Sequence, residues 1–167
     1  FAVDPNNGLD NDLPATYDFA PNSESGTILD LGFTGVMMNG QNYQDLYDPN
    51  EVTAGGAANV LTVENVGQGD AHEGTNTQEH AYQVGVNADE PFTVETTVNG
   101  LPSDAEQFQS QGVFVGTGDQ DNYVKLTATG FSSGGGSGVQ LAQEEGGSFT
   151  GVANPTAPTA GNETTLN

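Results

Sequence analysis

Gln111-Gly-Val-Phe-Val-Gly-Thr-Gly-Asp-Gln-Asp-Asn-Tyr-Val-Lys-Leu-Thr-Ala-Thr129 is the stretch that decides the fold. Val113 and Val115 hold alternate positions in its first arm, and Val124, Leu126 and Ala128 alternate with Tyr123, Lys125 and Thr127 in its second. A period of two belongs to a strand with one buried face, because successive side chains of extended backbone point to opposite sides. Between the arms, residues 116–122 are rich in Gly, Asp and Asn, which tolerate the positive φ of a hairpin connection. Two antiparallel strands and a tight acidic turn are therefore expected. Lys125, the only basic side chain in the chain, shares a face with Tyr123, opposite the aliphatic residues.

Outward from this hairpin, alternation predicts further strands over 27–33, 57–66, 80–86, 92–98 and 139–143. A bend at 36–40, a polar-aromatic loop at 42–49 and a long polar loop at 67–78 separate them. Residues 131–138 read as a Gly/Ser-rich flexible loop. The tail, 153–167, has Pro155 and Pro158 among small residues and leads into a strand that starts at Thr164. No segment sustains a helical period and no internal repeat emerges. Many short strands with Gly-rich turns predict an all-β protein, an antiparallel β-sandwich or jelly roll, with 1–167 as a single domain.

Charge is the extreme feature: 23 acidic residues stand against one Lys and no Arg, a net charge of −22. Such a coat repels itself in dilute buffer, and at about 1 M salt, where the Debye length falls to about 3 Å, the repulsion is screened. The composition resembles that of proteins from extreme halophiles, which implies a halophilic archaeal origin. Without a basic patch, nucleic acid and anionic lipid are excluded as partners. There is no cysteine, hence no disulfide framework. No apolar run reaches the roughly 20 residues of a helical membrane span, so membrane insertion is not expected in this segment. The chain begins at Phe1 and is expected to be part of a longer secreted protein.

Residues 1–18 contain Asp4-Pro-Asn-Asn-Gly-Leu-Asp-Asn-Asp-Leu-Pro14. Asp4, Asn6, Asp10 and Asp12 set oxygen donors around a glycine, which suits calcium, a hard cation that takes about six to eight oxygens. The spacing resembles the Asp-rich calcium loops of thrombospondin-type repeats, but the bidentate Glu of an EF-hand is missing. A solvated acidic turn is the alternative. Asp119 and Asp121, beside Asn122 at the hairpin tip, are a second candidate calcium set; ordinary turn chemistry accounts for them equally well.

With Gln111-Gly-Val-Phe-Val-Gly116 followed by Asp121-Asn-Tyr-Val-Lys-Leu126, the hairpin resembles the concanavalin A-like lectin/glucanase superfamily, in particular its laminin-G-like and xylosidase-accessory domains. Asn59-Val-Leu-Thr-Val63 and Pro91-Phe-Thr-Val-Glu-Thr96 fit the preceding strands, and the resemblance covers about 57–145. It implies two curved antiparallel sheets, often a calcium ion at the rim, and glycan binding on the concave face, where Tyr123 and Lys125 would stand. Tyr43 and Tyr47 are further candidates to stack on sugar rings, although tyrosines packed over a core edge are commoner. Lys125 would either hold a nearby acid or hydrogen-bond a sugar; the structural partner is favoured.

Catalytic patterns are wanting. Glu95 stands alone, and Glu144 and Glu145 are adjacent, so on a strand they face opposite ways and do not flank one glycosidic bond. His72-Glu73 and Glu79-His80 do not have helical zinc spacing and read as surface loop residues. No nucleophile elbow or phosphate cradle is present. The expectation is a non-enzymatic, extracellular or cell-surface module that binds carbohydrate and is stabilised by calcium. The alternative is a structural subunit of a surface layer or filament, a homo-oligomer assembled by strand sharing with neighbouring protein subunits. An accessory domain of a larger enzyme is a third possibility.

Overall fold

The structure is a computed structural model, which describes residues 33, 35–37, 49–55, 60–99, 106–130, 137–153 and 163–166. Apart from one turn of 3-10 helix, Pro49–Glu51, every regular element among them is a strand, and the strands pair antiparallel. The protein is thus essentially all-β. In chain order the strands are β1 Gly35–Val36, β2 Val52–Gly55, β3 Val60–Val63, β4 Ala71–His72, β5 Thr75–Asn76, β6 Tyr82–Gln83, β7 Thr96–Asn99, β8 Ser110–Gly116, β9 Tyr123–Gly130, β10 Ser137–Glu145, β11 Ser148–Ala153 and β12 Glu163–Leu166.

The chain divides into two compact units, the first running to Ala71 and resuming over Thr75–Pro91, the second comprising His72–Gly74 and everything from Phe92 onward. The first unit is built from ribbons, β1 on β6 and β2 on β3. Val36 and Val52 form its core, with Phe33, Leu61 and Tyr82 packed against them. Burying each of these valines contributes about 1.5–3 kcal/mol. The expected long loop at 67–78 instead contains the β4–β5 hairpin. Glu73 and Gly74, both at positive φ, make its turn, a conformation Gly adopts freely and Glu does not. The sequence signal is weak because neither two-residue strand carries an aliphatic alternation.

In the second unit β8, β9, β10 and β11 form a four-stranded meander in the order β11-β10-β9-β8. The β8–β9 register, Gly116 opposite Tyr123 and Val113 opposite Leu126, is that of the expected hairpin. β10 and β11 are joined by Gly146 and Gly147 alone, both at positive φ, with Glu145 opposite Ser148. That two-residue turn matches the right-handed twist of the strands it joins. β12 pairs with β7, Thr164 opposite Val98. β7 approaches β8 while β12 approaches β9, so this ribbon lies across the sheet instead of extending it in plane. Gln111 Nε2 ties the two together by donating to the Asn99 carbonyl at 2.9 Å.

Alternation gives the sides of the sheet, while covering depends also on position along the strand. Burial on the aliphatic side changes along β9: Val115 and Val124, directly opposite each other, are 41% and 44% exposed, while Ala128 on that same side is fully buried. Tyr123, Thr127 and Thr129, on the other side of β9, are 4%, 7% and 2% exposed. Threonines survive there because their hydroxyls satisfy each other, Thr127 Oγ1 to Thr129 Oγ1 at 2.8 Å.

Candidate functional site

The register collects the unusual side chains of the chain on the Tyr123 side of the sheet. Tyr123 stands opposite Glu144, and Glu144 opposite Phe149, so three strands place a phenol, a carboxylate and a phenyl ring in one row. Lys125 lies two residues along β9 on the same side. Its Nζ is 5.5 Å from the centroid of the Phe149 ring and 5.8 Å from that of Tyr123, within the range at which a ring face attracts a cation. The His72 ring meets the Phe149 ring at 4.6 Å between centroids. Tyr123 donates its hydroxyl to Glu144 Oε2 at 3.2 Å. Glu144 is only 3% exposed, and its second oxygen, Oε1, is buried with no hydrogen-bond partner among the described residues.

Of the residues singled out from sequence, the structure thus brings Tyr123 and Lys125 together, with different roles. Tyr123 is a buried packing and hydrogen-bonding group whose ring is closed off, while Lys125 is half-buried between two rings. Glu144, Phe149 and His72 were not proposed as binding residues. The Gly146-Gly147 pair was the available signal, since a two-glycine turn after a strand implies a return strand carrying Phe149 opposite Glu144. Tyr43, Tyr47, Asp4, Asn6, Asp10 and Asp12 lie outside the described residues.

Asp119 and Asp121 occupy the β8–β9 turn, which Thr117 N closes by donating to the Asn122 carbonyl at 3.3 Å. Both Asp119 oxygens are engaged by the turn itself. Oδ2 accepts from Thr117 Oγ1 at 2.6 Å, and Oδ1 accepts from Asp121 N and Asn122 Nδ2, each at 2.9 Å. Burial works against its ionisation, but the Thr117 hydroxyl, the Asn122 amide and the backbone N–H groups of Asp121 and Asn122 outweigh it and hold its pKa below the ordinary aspartate value. This donor-saturated carboxylate suits a turn, not a cation, and no group of three His, Cys, Asp or Glu side chains is placed to hold a metal among the described residues. The Asn122 side chain reaches further: its Oδ1 accepts from Gly146 N at 2.9 Å, while Gly147 N donates to the Asp121 carbonyl at 3.1 Å.

Asp119→Ala is therefore expected to cost about 1–2 kcal/mol in chemical denaturation, the loss of a charged acceptor to several donors. Because the folded pKa is depressed, this stabilisation is full above the ordinary carboxylate pKa of about 4 and is lost as pH falls through the lower folded value. Acid titration of the wild type and of Asp119→Asn checks the sign, since the variant should lack that part of the acid limb.

His80, read from sequence as a surface loop residue, has a side chain only 6% exposed. Its Nε2 is 3.3 Å from Glu51 Oε2 and its Nδ1 is 2.8 Å from the Tyr82 hydroxyl. Glu51 precedes β2 and Tyr82 belongs to β6, so the imidazole links the two ribbons of the first unit. That link, made across residues far apart in sequence, is why loop composition misplaced it. Glu144 is buried and Glu145 exposed, facing opposite ways as strand alternation demands. No helix among the described residues is long and apolar enough to cross a membrane. Comparison of the chain with protein-family models, with curated proteins and with solved structures found no match.

Proposed function

We propose that this chain is a non-catalytic, extracellular carbohydrate-binding module of a salt-adapted, halophilic archaeal surface protein, built as a concanavalin A-like β-sandwich. The observation that carries the proposal is the placement of the chain's only cation near the Phe149 and Tyr123 rings, on the side of the sheet that also holds Glu144. Sugar recognition uses this set: a ring face for the apolar side of the pyranose, and a charged donor and acceptor for its hydroxyls. Calcium has its place in the proposal at the N-terminal loop of Asp4, Asn6, Asp10 and Asp12, since the Asp119 turn is saturated by its own donors.

Binding to soluble polysaccharides in multi-molar salt, followed by affinity electrophoresis, tests this directly. Phe149→Ala and Lys125→Met should each weaken retention by about tenfold, the effect of removing one anchor. Retention unchanged in both variants would remove this face from consideration. Thermal unfolding with calcium and with chelator, on the same samples, checks the metal.

A second reading, a strand-sharing structural subunit, is favoured by β11. The C-terminal strand is paired with β7, and among the described residues β11, Ser148–Ala153, is one edge of the four-stranded sheet; it carries neither charge nor proline and is irregular only at the bulge opposite Leu141 and Ala142. Light scattering at the same salt separates the two: a large, concentration-dependent mass favours assembly.

A further inference from the structure

We infer that the glycan recognised by this face is neutral and that Glu144 is the residue that reads it, an inference that rests on the carbohydrate-binding proposal above. A carboxylate that is 3% exposed, with Oε2 taking the Tyr123 hydroxyl and Oε1 buried without a donor among the described residues, is costly to keep. It is relieved when a donor arrives. Few chemical groups suit the position. A metal cation meets the Lys125 ammonium on the same side of the sheet, and no group of three His, Cys, Asp or Glu side chains that could hold it is present among the described residues. A uronate or sulfate ester meets Glu144 itself, within a chain of net charge −22.

A sugar hydroxyl is both donor and acceptor. One hydroxyl of a neutral sugar donates to Glu144 Oε1, a neighbouring one accepts from Lys125 Nζ, and the pyranose face rests on Phe149. Oε1 is closed in the ligand-free chain. A donor reaches it only when side chains on this face rearrange, a movement the inference requires.

The test compares soluble neutral polymers (a β-glucan and a galactomannan) with anionic ones (alginate and polygalacturonate) in multi-molar salt, using the whole chain and Glu144→Gln. Neutral polymers should bind and anionic ones should not, and Glu144→Gln, which retains shape but loses the charge, should weaken neutral binding by about tenfold. Neutral binding that stays within about twofold in Glu144→Gln means Oε1 is satisfied by solvent, and overturns the inference. Anionic polymers bound as tightly as neutral ones also overturn it while leaving the carbohydrate proposal standing. If no polymer binds at all, the carbohydrate proposal falls and takes this inference with it. The neutral-to-anionic preference of the unaltered chain needs no variant, so the test survives a Glu144→Gln that does not fold.

Discussion

Gly112→Ala lowers the thermal midpoint by about 10 °C, an expected loss of about 3 kcal/mol in a chain of this size. Gly112 faces Thr127 across the β8–β9 ladder. A Cβ there would collide with the Leu126 carbonyl oxygen, and would lie 2.7 Å from Thr127 Cα and 3.0 Å from its Cγ2. Two of these obstacles are backbone of the central strand, so no rotamer change relieves the clash. The strands must part, and the ladder bonds on either side of the position stretch with them. Gly116 is in the same situation opposite Tyr123, where an added Cβ meets the Asn122 carbonyl. Differential scanning calorimetry at fixed salt measures the shift; a drop of only a degree or two would mean that the β8–β9 pairing is looser than the register indicates.

Transfer from molar to about 0.01 M salt costs the protein several kcal/mol, enough to unfold it or nearly so. Two unit charges about 10 Å apart in water repel by roughly 0.4 kcal/mol. If each of the 23 acids has about two such neighbours, the unscreened repulsion totals roughly 10 kcal/mol, comparable with the whole stability of an ordinary domain. At about 1 M the Debye length of about 3 Å removes nearly all of it; at about 0.01 M, where it is about 30 Å, most of it returns. One lysine offers no compensation. Far-ultraviolet circular dichroism during stepwise dilution, with sodium and potassium chloride in parallel, should show the same loss in both salts. A midpoint that moves by less than a few degrees would show that the acids are spaced too widely to feel each other, and would remove the main argument for salt adaptation.

What could be read from sequence followed the range of the forces involved. The β8–β9 hairpin was legible because its strands are adjacent, its turn residues are distinctive and its aliphatic positions alternate cleanly. The strand near Thr164 was legible for similar reasons, but its partner, β7, was not, because pairing across more than sixty residues leaves no local trace. Alternation could assign Tyr123 and Val124 to opposite sides, yet it is blind to which side the rest of the chain covers. Tyr123, which the resemblance put on a concave binding face, is 4% exposed, a burial that alternation does not foresee. Lys125 stands out because it is alone, Glu144 is set aside as half of an adjacent pair that faces opposite ways, and what distinguishes it is a burial that sequence does not show. His80 belongs with it: a loop histidine by composition, an internal brace by its contacts with Glu51 and Tyr82.

The Asn122 side chain, bonded at once to Asp119 in one turn and to Gly146 in the next, has a consequence for how this chain can change over time. β9 and β10 are connected at the end where Gly130 faces Ser137, and they are fastened to each other at the opposite end, where Tyr123 faces Glu144. Their alignment is therefore set by the far fastening, not by the length of the connection. Insertions and deletions between 130 and 137 leave the pairing of Tyr123 with Glu144 in place, whereas one residue gained or lost between Asn122 and Tyr123 slides the row that holds Lys125 beside its two rings. Related chains should accordingly differ in length on the first side and keep strict spacing on the second.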